Sequence, residues 1–333
     1  MGNETIRIRE LAVKPGEKVH DWVTLGQMLD GSPFRVPLIV INGKKPGPRL
    51  LVGACIHGDE VIGIEAIKSV AKQLKPEKIS GVFIGAPIIN IASYMSLARV
   101  DKLETPIGGN NMHLHWQTGT PEGSMTERGA AFFRDEVLPL AEYYVDIHSS
   151  ATGSYNSPRA IIAGDYVKLD PVVRKRIDKM GVASNFEVVF KPKSASWKGM
   201  YFAPRTFFEE KGTAKIVLET GAAPTLGDVE TIKEGINNIM KAIKMIPGEP
   251  NFKNRQTYCS RLFAVRSNTG GIFRADVKLR DRVKKGAKLG EVTDIFDNIV
   301  EKIIAPSDGI VIKIATTAAV YTGIRLIVLG VPD

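Results

Sequence analysis

The sequence predicts an α/β protein: a mixed, largely parallel sheet flanked by helices, followed by a small C-terminal all-β domain of barrel-sandwich type. Three observations carry this expectation. Four near-continuous apolar runs each stop at a residue capable of chemistry: Leu51 to Ile56 at His57, Val82 to Ile89 at Asn90, Tyr143 to Ile147 at His148, and Lys215 to Leu218 at Glu219. Stretches with helical spacing lie between them, and such an alternation reads as strands covered on both faces. From Cys259 onward the chain changes to short β-rich pieces punctuated by Gly270-Gly271, Lys285-Gly286, Asp308-Gly309 and Thr322-Gly323.

Taken in order, the first forty or so residues, including Phe34 to Ile41, read as extra strands leading into the sheet. The run ending at Ile56 gives way to His57-Gly58-Asp59-Glu60 and then to a helix-like segment, so a histidine and a carboxylate three residues apart meet at a strand-to-helix corner. Parallel strands bring their carboxyl ends to one edge, where α/β proteins bind ligands. His57, Glu60, His148 and Glu219 can therefore converge although they are distant in sequence. Nitrogen and oxygen donors suit a borderline cation such as zinc, which in a catalytic site needs three protein ligands and an open position. Singly, each residue has an ordinary alternative. A strand-end histidine is often structural, H-x-x-E occurs on plain helices, and a lone carboxylate commonly caps or faces solvent. Their joint placement is what points to a site. The break at Ile246-Pro247-Gly248-Glu249-Pro250-Asn251 divides the expected catalytic domain, 1–247, from the small β-rich domain, 251–333.

These residues resemble the succinylglutamate desuccinylase and aspartoacylase family, relatives of the zinc carboxypeptidases. Gly43-Lys44-Lys45-Pro46-Gly47-Pro48 is similar to the family's G-x-x-P-G-P lead, followed by the His57 to Glu60 corner. Asp146-Ile147-His148 resembles its D-[LI]-H motif, and Leu218-Glu219-Thr220-Gly221 its E-x-G motif. The resemblance implies a zinc carboxypeptidase-like sheet and one Zn2+ per chain, held by His57, Glu60 and His148. It implies Glu219 as general base and acid in hydrolysis of an amide by activated water. It also implies Asn90 as a substrate contact and Arg99 as the group that polarises the scissile carbonyl. An arginine suits that task because its charge does not titrate away and its fork can hold an oxyanion. The implied substrate is a small N-acylated amino acid or related amine.

One segment departs from the family pattern. Where the family shows D-L-N-R-x-F-P-G, this chain has Asn111-Met112-His113-Leu114-His115-Trp116-Gln117-Thr118-Gly119, so the arginine that holds substrate is missing. His113 and His115 would face one side if this piece is extended. They are candidates for substrate contact, for the metal site, or for packing beside Trp116. Without the arginine, amino-acid sides carrying less negative charge are expected to be favoured. Lys284 to Gly290 and Ala305 to Val311 resemble lipoyl and biotinyl carrier folds, without the lysine-bearing hairpin that covalent attachment needs.

The 333 residues are 44% hydrophobic and 24% charged, which suits a sizeable folded core. Two cysteines, Cys55 and Cys259, make no disulfide framework and fit a reducing cytoplasm. No basic segment followed by an apolar core opens the chain, and no run has membrane-spanning length, so neither export nor membrane embedding is expected. The net charge of +9 is scattered apart from the short runs Arg280 to Lys285 and Arg174 to Arg176. That argues against a nucleic-acid partner and leaves a mild attraction for anionic small molecules. Homo-oligomerisation is left open. Two other classes compete with a deacylase: a catalytically silent binding relative, and a zinc carboxypeptidase acting on peptides.

Overall fold

The four apolar runs form the middle of one large sheet in the computed structural model, which describes residues 3–102, 111–162, 166, 169–191, 212–252 and 255–332. In chain order the strands are β1 (Ile6–Ile8), β2 (Leu11–Val13), β3 (Lys18–Gln27), β4 (Pro33–Asn42), β5 (Lys45–Ala54), β6 (Ser80–Ala86), β7 (Tyr143–Ser150), β8 (Ser154–Ile161), β9 (Val188–Phe190) and β10 (Ala214–Ala222). After residue 252 come β11 (Thr257–Arg266), β12 (Gly271–Ala275), β13 (Arg282–Val283), β14 (Lys288–Thr293), β15 (Ile299–Ile304), β16 (Gly309–Ala315), β17 (Ala319–Val320) and β18 (Arg325–Pro332). The described helices are α1 (Ile62–Gln73), α2 (Ile91–Met95), α3 (Met125–Phe132), α4 (Pro171–Ala183) and α5 (Val229–Ala242).

Among the described residues twelve strands share the sheet, in the order β13-β16-β18-β11-β9-β8-β10-β7-β5-β6-β4-β3. The central strands β6, β5, β7 and β10 are parallel neighbours. This is the expected register of carboxyl ends on one edge. Toward the margins the sheet is more antiparallel than the sequence predicts: β3 with β4, β4 with β6, and β10 with β8. The reason is connection length. Only residues 151–153 separate β7 from β8, too few for a helical crossover. The early strands β3 and β4 do extend the sheet, as Phe34 to Ile41 suggested.

Alternation along the strands builds two cores. One face, with Val52, Val145, Ile147 and Leu218, packs against α1, α4 and α5 through residues such as Ile67, Ile177 and Ile236. The other, with Leu51, Ile84 and Tyr144, packs beneath α2 and α3. Tyr144, Asp146 and His148 are on that second face, because residues two apart in a strand point the same way.

The segment beyond residue 252 has a core of its own, centred on Leu289, Val292, Val311, Ile327 and Leu329. That core fills the space between the end of the large sheet and a second sheet, β15-β14-β12-β17. The segment is nevertheless stitched to the rest. β11 pairs in parallel with β9, and β16 pairs with β8 so that Lys313 is opposite Asn156. No described helix is long and apolar enough to cross a membrane.

Candidate active site

The corner after β5 is shaped by a close approach of α2. A Cβ on Gly58 would fall 2.0 Å from the carbonyl carbon and oxygen of Ser93 and 2.2 Å from the nitrogen of Tyr94, so only glycine fits there. Just before it, Cys55 adopts φ 52°, turning the chain out of the strand. Backbone bonds from Ile89 to Ala54 and from Asn90 to Cys55 fasten the β6 end to this corner. Asn90 completes the joint: its Oδ1 accepts from the Ser93 amide at 3.1 Å, capping α2, and its Nδ2 donates to Ile56 O at 3.3 Å. The structure thus gives Asn90, read from sequence as a substrate contact, a buried architectural task.

At the corner Glu60 is enclosed by cationic and imidazole groups. Its Oε1 is 2.9 Å from His57 Nδ1 and accepts from Arg99 Nη1 at 2.8 Å; its Oε2 is 2.7 Å from His148 Nδ1 and accepts from the Ser149 amide at 3.2 Å. Burial pushes the Glu60 carboxyl up, but His57 and His148 outweigh it and hold the group well below the usual carboxylate range. His57, Glu60 and His148 therefore meet, and Arg99 reaches the same carboxylate.

Behind His148 lies a second layer that the sequence reading passed over. Asp146 Oδ1 is 3.3 Å from His148 Nε2, and Lys215 Nζ is 2.8 Å from Asp146 Oδ2. Burial pulls the His148 imidazole down, yet Asp146 and Glu60 together push it up to about 10. The signal was available, since Asp146 stands two residues before His148 on the same strand face.

Glu219 is opposite His148 in the β10–β7 register, on the same face. Both of its oxygens are held: Asn156 Nδ2 donates to Oε1 at 2.6 Å, and Arg159 reaches Oε2 through Nε at 3.1 Å and Nη2 at 2.8 Å. Lys313, arriving on β16, senses Glu219, Arg159, Arg325 and Arg99, and burial first, then those arginines, lower it to about 8. Beside Arg99, the cations Arg159 and Lys313 were invisible in the sequence, because β8 and β16 meet only through the fold.

The altered segment behaves differently from an extended piece. Met112–Leu114 is a short 3-10 turn capped by Asn111, whose side chain accepts from the His113 amide at 3.1 Å. At three residues per turn, positions two apart diverge. His113 joins His57 and His148, with ring centroids 4.9 and 5.5 Å away, whereas His115 Nδ1 turns toward Glu127 Oε1 at 4.0 Å. The shared face expected for His113 and His115 is corrected accordingly. Burial first, then His57 and His148, drive the His113 imidazole well below its ordinary value.

These donors fit a metal ion. Ring nitrogens of His57, His113 and His148 lie within 4.8 Å of one another. Ligands at about 2.0–2.2 Å from a tetrahedral ion stand roughly 3.3–3.6 Å apart. The Glu60 contacts at 2.7–2.9 Å need only a small outward adjustment to reach that spacing.

An α/β sheet with imidazole and carboxylate donors at its parallel strand ends defines a class of candidate metal-dependent hydrolases. The catalytic-domain model of the succinylglutamate desuccinylase/aspartoacylase family matches residues 46–243, and the chain belongs to that family. The matched segment is a catalytic domain of amide-bond deacylases, and the chain is a hydrolase of that kind. It is 24% identical over 303 residues to N-alpha-acetyl-L-2,4-diaminobutyric acid deacetylase of Halomonas elongata, covering 89% of this chain and 85% of the relative. Its fold is shared with the product-bound ectoine utilization protein EutE of Ruegeria pomeroyi (TM-score 0.80, 24% identity, 94% and 95% of the two chains). It is shared equally with a succinylglutamate desuccinylase/aspartoacylase of Rhodobacter sphaeroides (TM-score 0.78, 22% identity, 95% and 96%).

Proposed function

We propose that this protein hydrolyses the amide bond of a small N-acyl amino acid or related amine, using one Zn2+ held by His57, Glu60 and His148. The observation that carries the reading is the convergence of those three side chains around Glu60, with Asp146 on the far nitrogen of His148. A divalent ion bound there supplies Lewis acidity toward the acyl carbonyl and lowers the pKa of water toward about 7. The remaining work falls to the chain. Asp146 holds the His148 ring so that Nδ1 faces Glu60, the arrangement in which an outer carboxylate sets a ligand's tautomer. Arg99, a third exposed and anchored on Glu60, places its positive charge where it can stabilise negative charge that develops on the carbonyl oxygen.

Glu219 carries protons, taking one from the attacking water and delivering it to the departing amine. Asn156 and Arg159 hold its carboxylate in one orientation while it does so. Arg159 and Lys313 leave net positive charge beside it, which suits a substrate that keeps its amino-acid carboxylate. The Halomonas relative, which is named for an N-acetylated diamino acid, supports the same substrate class. Since Glu219 and the three donors of the family motifs are all retained, nothing favours a silent binding relative.

The test couples metal analysis with turnover. The purified protein is expected to hold one divalent ion per chain, His148→Ala to lose most of it, and the loaded parent to hydrolyse N-acyl amino acids, N-acetyl-diaminobutyrate among them. An ion-loaded protein that cleaves no amide in such a panel, or a fully loaded His148→Ala, would overturn the assignment.

A further inference from the structure

The segment that departs from the family pattern places a third imidazole at the cluster. Met112, fully buried, and Trp116, 2% exposed, anchor the 3-10 turn in the second core, and Asn111 caps it. His113 projects from between these anchors on a fixed backbone. Its ring stands 4.9 Å from that of His57 and 5.5 Å from that of His148, and those two are 5.1 Å apart. The three rings thus form a nearly equilateral triangle. Imidazoles bound to one tetrahedral ion at about 2.1 Å, with roughly 1.2 Å more from nitrogen to ring centre, have centroids on the order of 5 Å apart.

We propose that His113 is a protein ligand of the metal, so that this chain offers its ion three imidazoles and one carboxylate. The inference rests on the reading that the corner binds a divalent ion, and it adds a donor on a residue that the family motifs do not supply. Catalytic zinc sites commonly use three protein ligands and keep one position open. A fourth protein donor makes the shell more nitrogen-rich, and any substrate atom must then enlarge it or displace a ligand. The missing substrate-holding arginine and the added ligand become two consequences of one local change: a capped turn in place of the family's asparagine-arginine segment.

The test reads the metal rather than turnover. Parent, His113→Ala and His113→Gln are titrated with Zn2+ against a chromophoric chelator, and the Co2+-loaded forms are compared by visible absorption and X-ray absorption. Both variants are expected to bind Zn2+ more weakly than the parent, by at least the ~10-fold typical of losing even an outer-layer partner. The Co2+ bands should shift and the imidazole count should fall from three to two. The glutamine variant keeps a polar side chain on the turn, so a folding failure of His113→Ala alone leaves the measurement intact. Thermal midpoints in chelator report whether either variant is folded. A parent that binds one ion through two imidazoles, with both variants matching its affinity and spectrum, overturns the role of His113 while leaving the His57, Glu60 and His148 site standing. A parent that binds no divalent ion overturns both.

Discussion

Glu219 and Glu60 are carboxylates on neighbouring strand ends with different surroundings, and the difference assigns their tasks. Glu60 is 1% exposed and contacted by two imidazoles, an arginine and a backbone amide, a setting that favours the ionised form and leaves it acceptor-only. Glu219 keeps 15% of its side chain exposed, and Asn156 and Arg159 orient it. It is therefore the carboxylate with access to solvent and substrate. Glu219→Gln preserves size and the Asn156 side of the arrangement but removes the ability to carry a proton. The variant is expected to retain the ion while kcat falls about 100-fold or more, the scale of general acid–base effects. Measured metal content and kcat decide it: loss of the ion, or turnover near that of the parent, would reverse the division of labour between the two carboxylates.

At the scale of elements, the corner between β5 and α1 depends on how closely α2 can approach it. Gly58→Ala would place a methyl group 2.0 Å from the Ser93 carbonyl, a backbone atom that cannot swing aside. Overpacking that forces backbone to move costs about 1–3 kcal/mol, occasionally more. Chemical denaturation should therefore show a clear loss of stability, and metal affinity should fall with it because His57 and Glu60 flank the displaced residue. A variant as stable as the parent, with an unchanged site, would mean that the corner is more plastic than its contacts indicate. The corner is also where the sequence was most informative. Local order places His57 and Glu60 at the end of an apolar run, and that order survives folding. His148 and Glu219 were readable for the same reason. His113 was readable only as one of two histidines with several open roles, because the choice between an extended piece and a 3-10 turn depends on Asn111 capping and on Met112 and Trp116 finding a core that only the tertiary fold supplies. Asn156, Arg159 and Lys313 were hidden more completely: their strands carry no motif, and their relation to Glu219 follows from the β8–β10 and β8–β16 pairings.

Across the whole molecule, the C-terminal segment completes the site by laying β16 beside β8 and presenting Lys313 to the neighbourhood of Glu219. Lys313 has an ordinary value of 10.5 in the unfolded chain and about 8 in the folded protein, because burial, with Arg159, Arg325 and Arg99, outweighs the attraction of Glu219. The sign of the linkage follows. Between about pH 8 and 10.5 the unfolded chain holds a proton on this amine that the folded chain has released, so this group makes stability rise with pH in that window. Below about pH 8 both states are protonated and the folded state carries the full penalty. Lys313→Met, which keeps most of the unbranched side chain without its amine, is therefore expected to be more stable than the parent at pH 7, with the difference shrinking toward pH 10.5. Urea midpoints at several pH values compare the two proteins, and the pH-dependent part of their difference reports Lys313 together with its coupling to Glu219. Function should move the other way. Removing the charge withdraws one cation from the side facing the substrate carboxylate, so KM for N-acyl amino acids should rise in the variant at pH 7. The parent's own KM should climb toward the variant's as pH passes about 8. Parallel stability curves, or KM values that share one pH profile, would show that Lys313 neither feels nor serves the site, and that the C-terminal strands contribute only packing there.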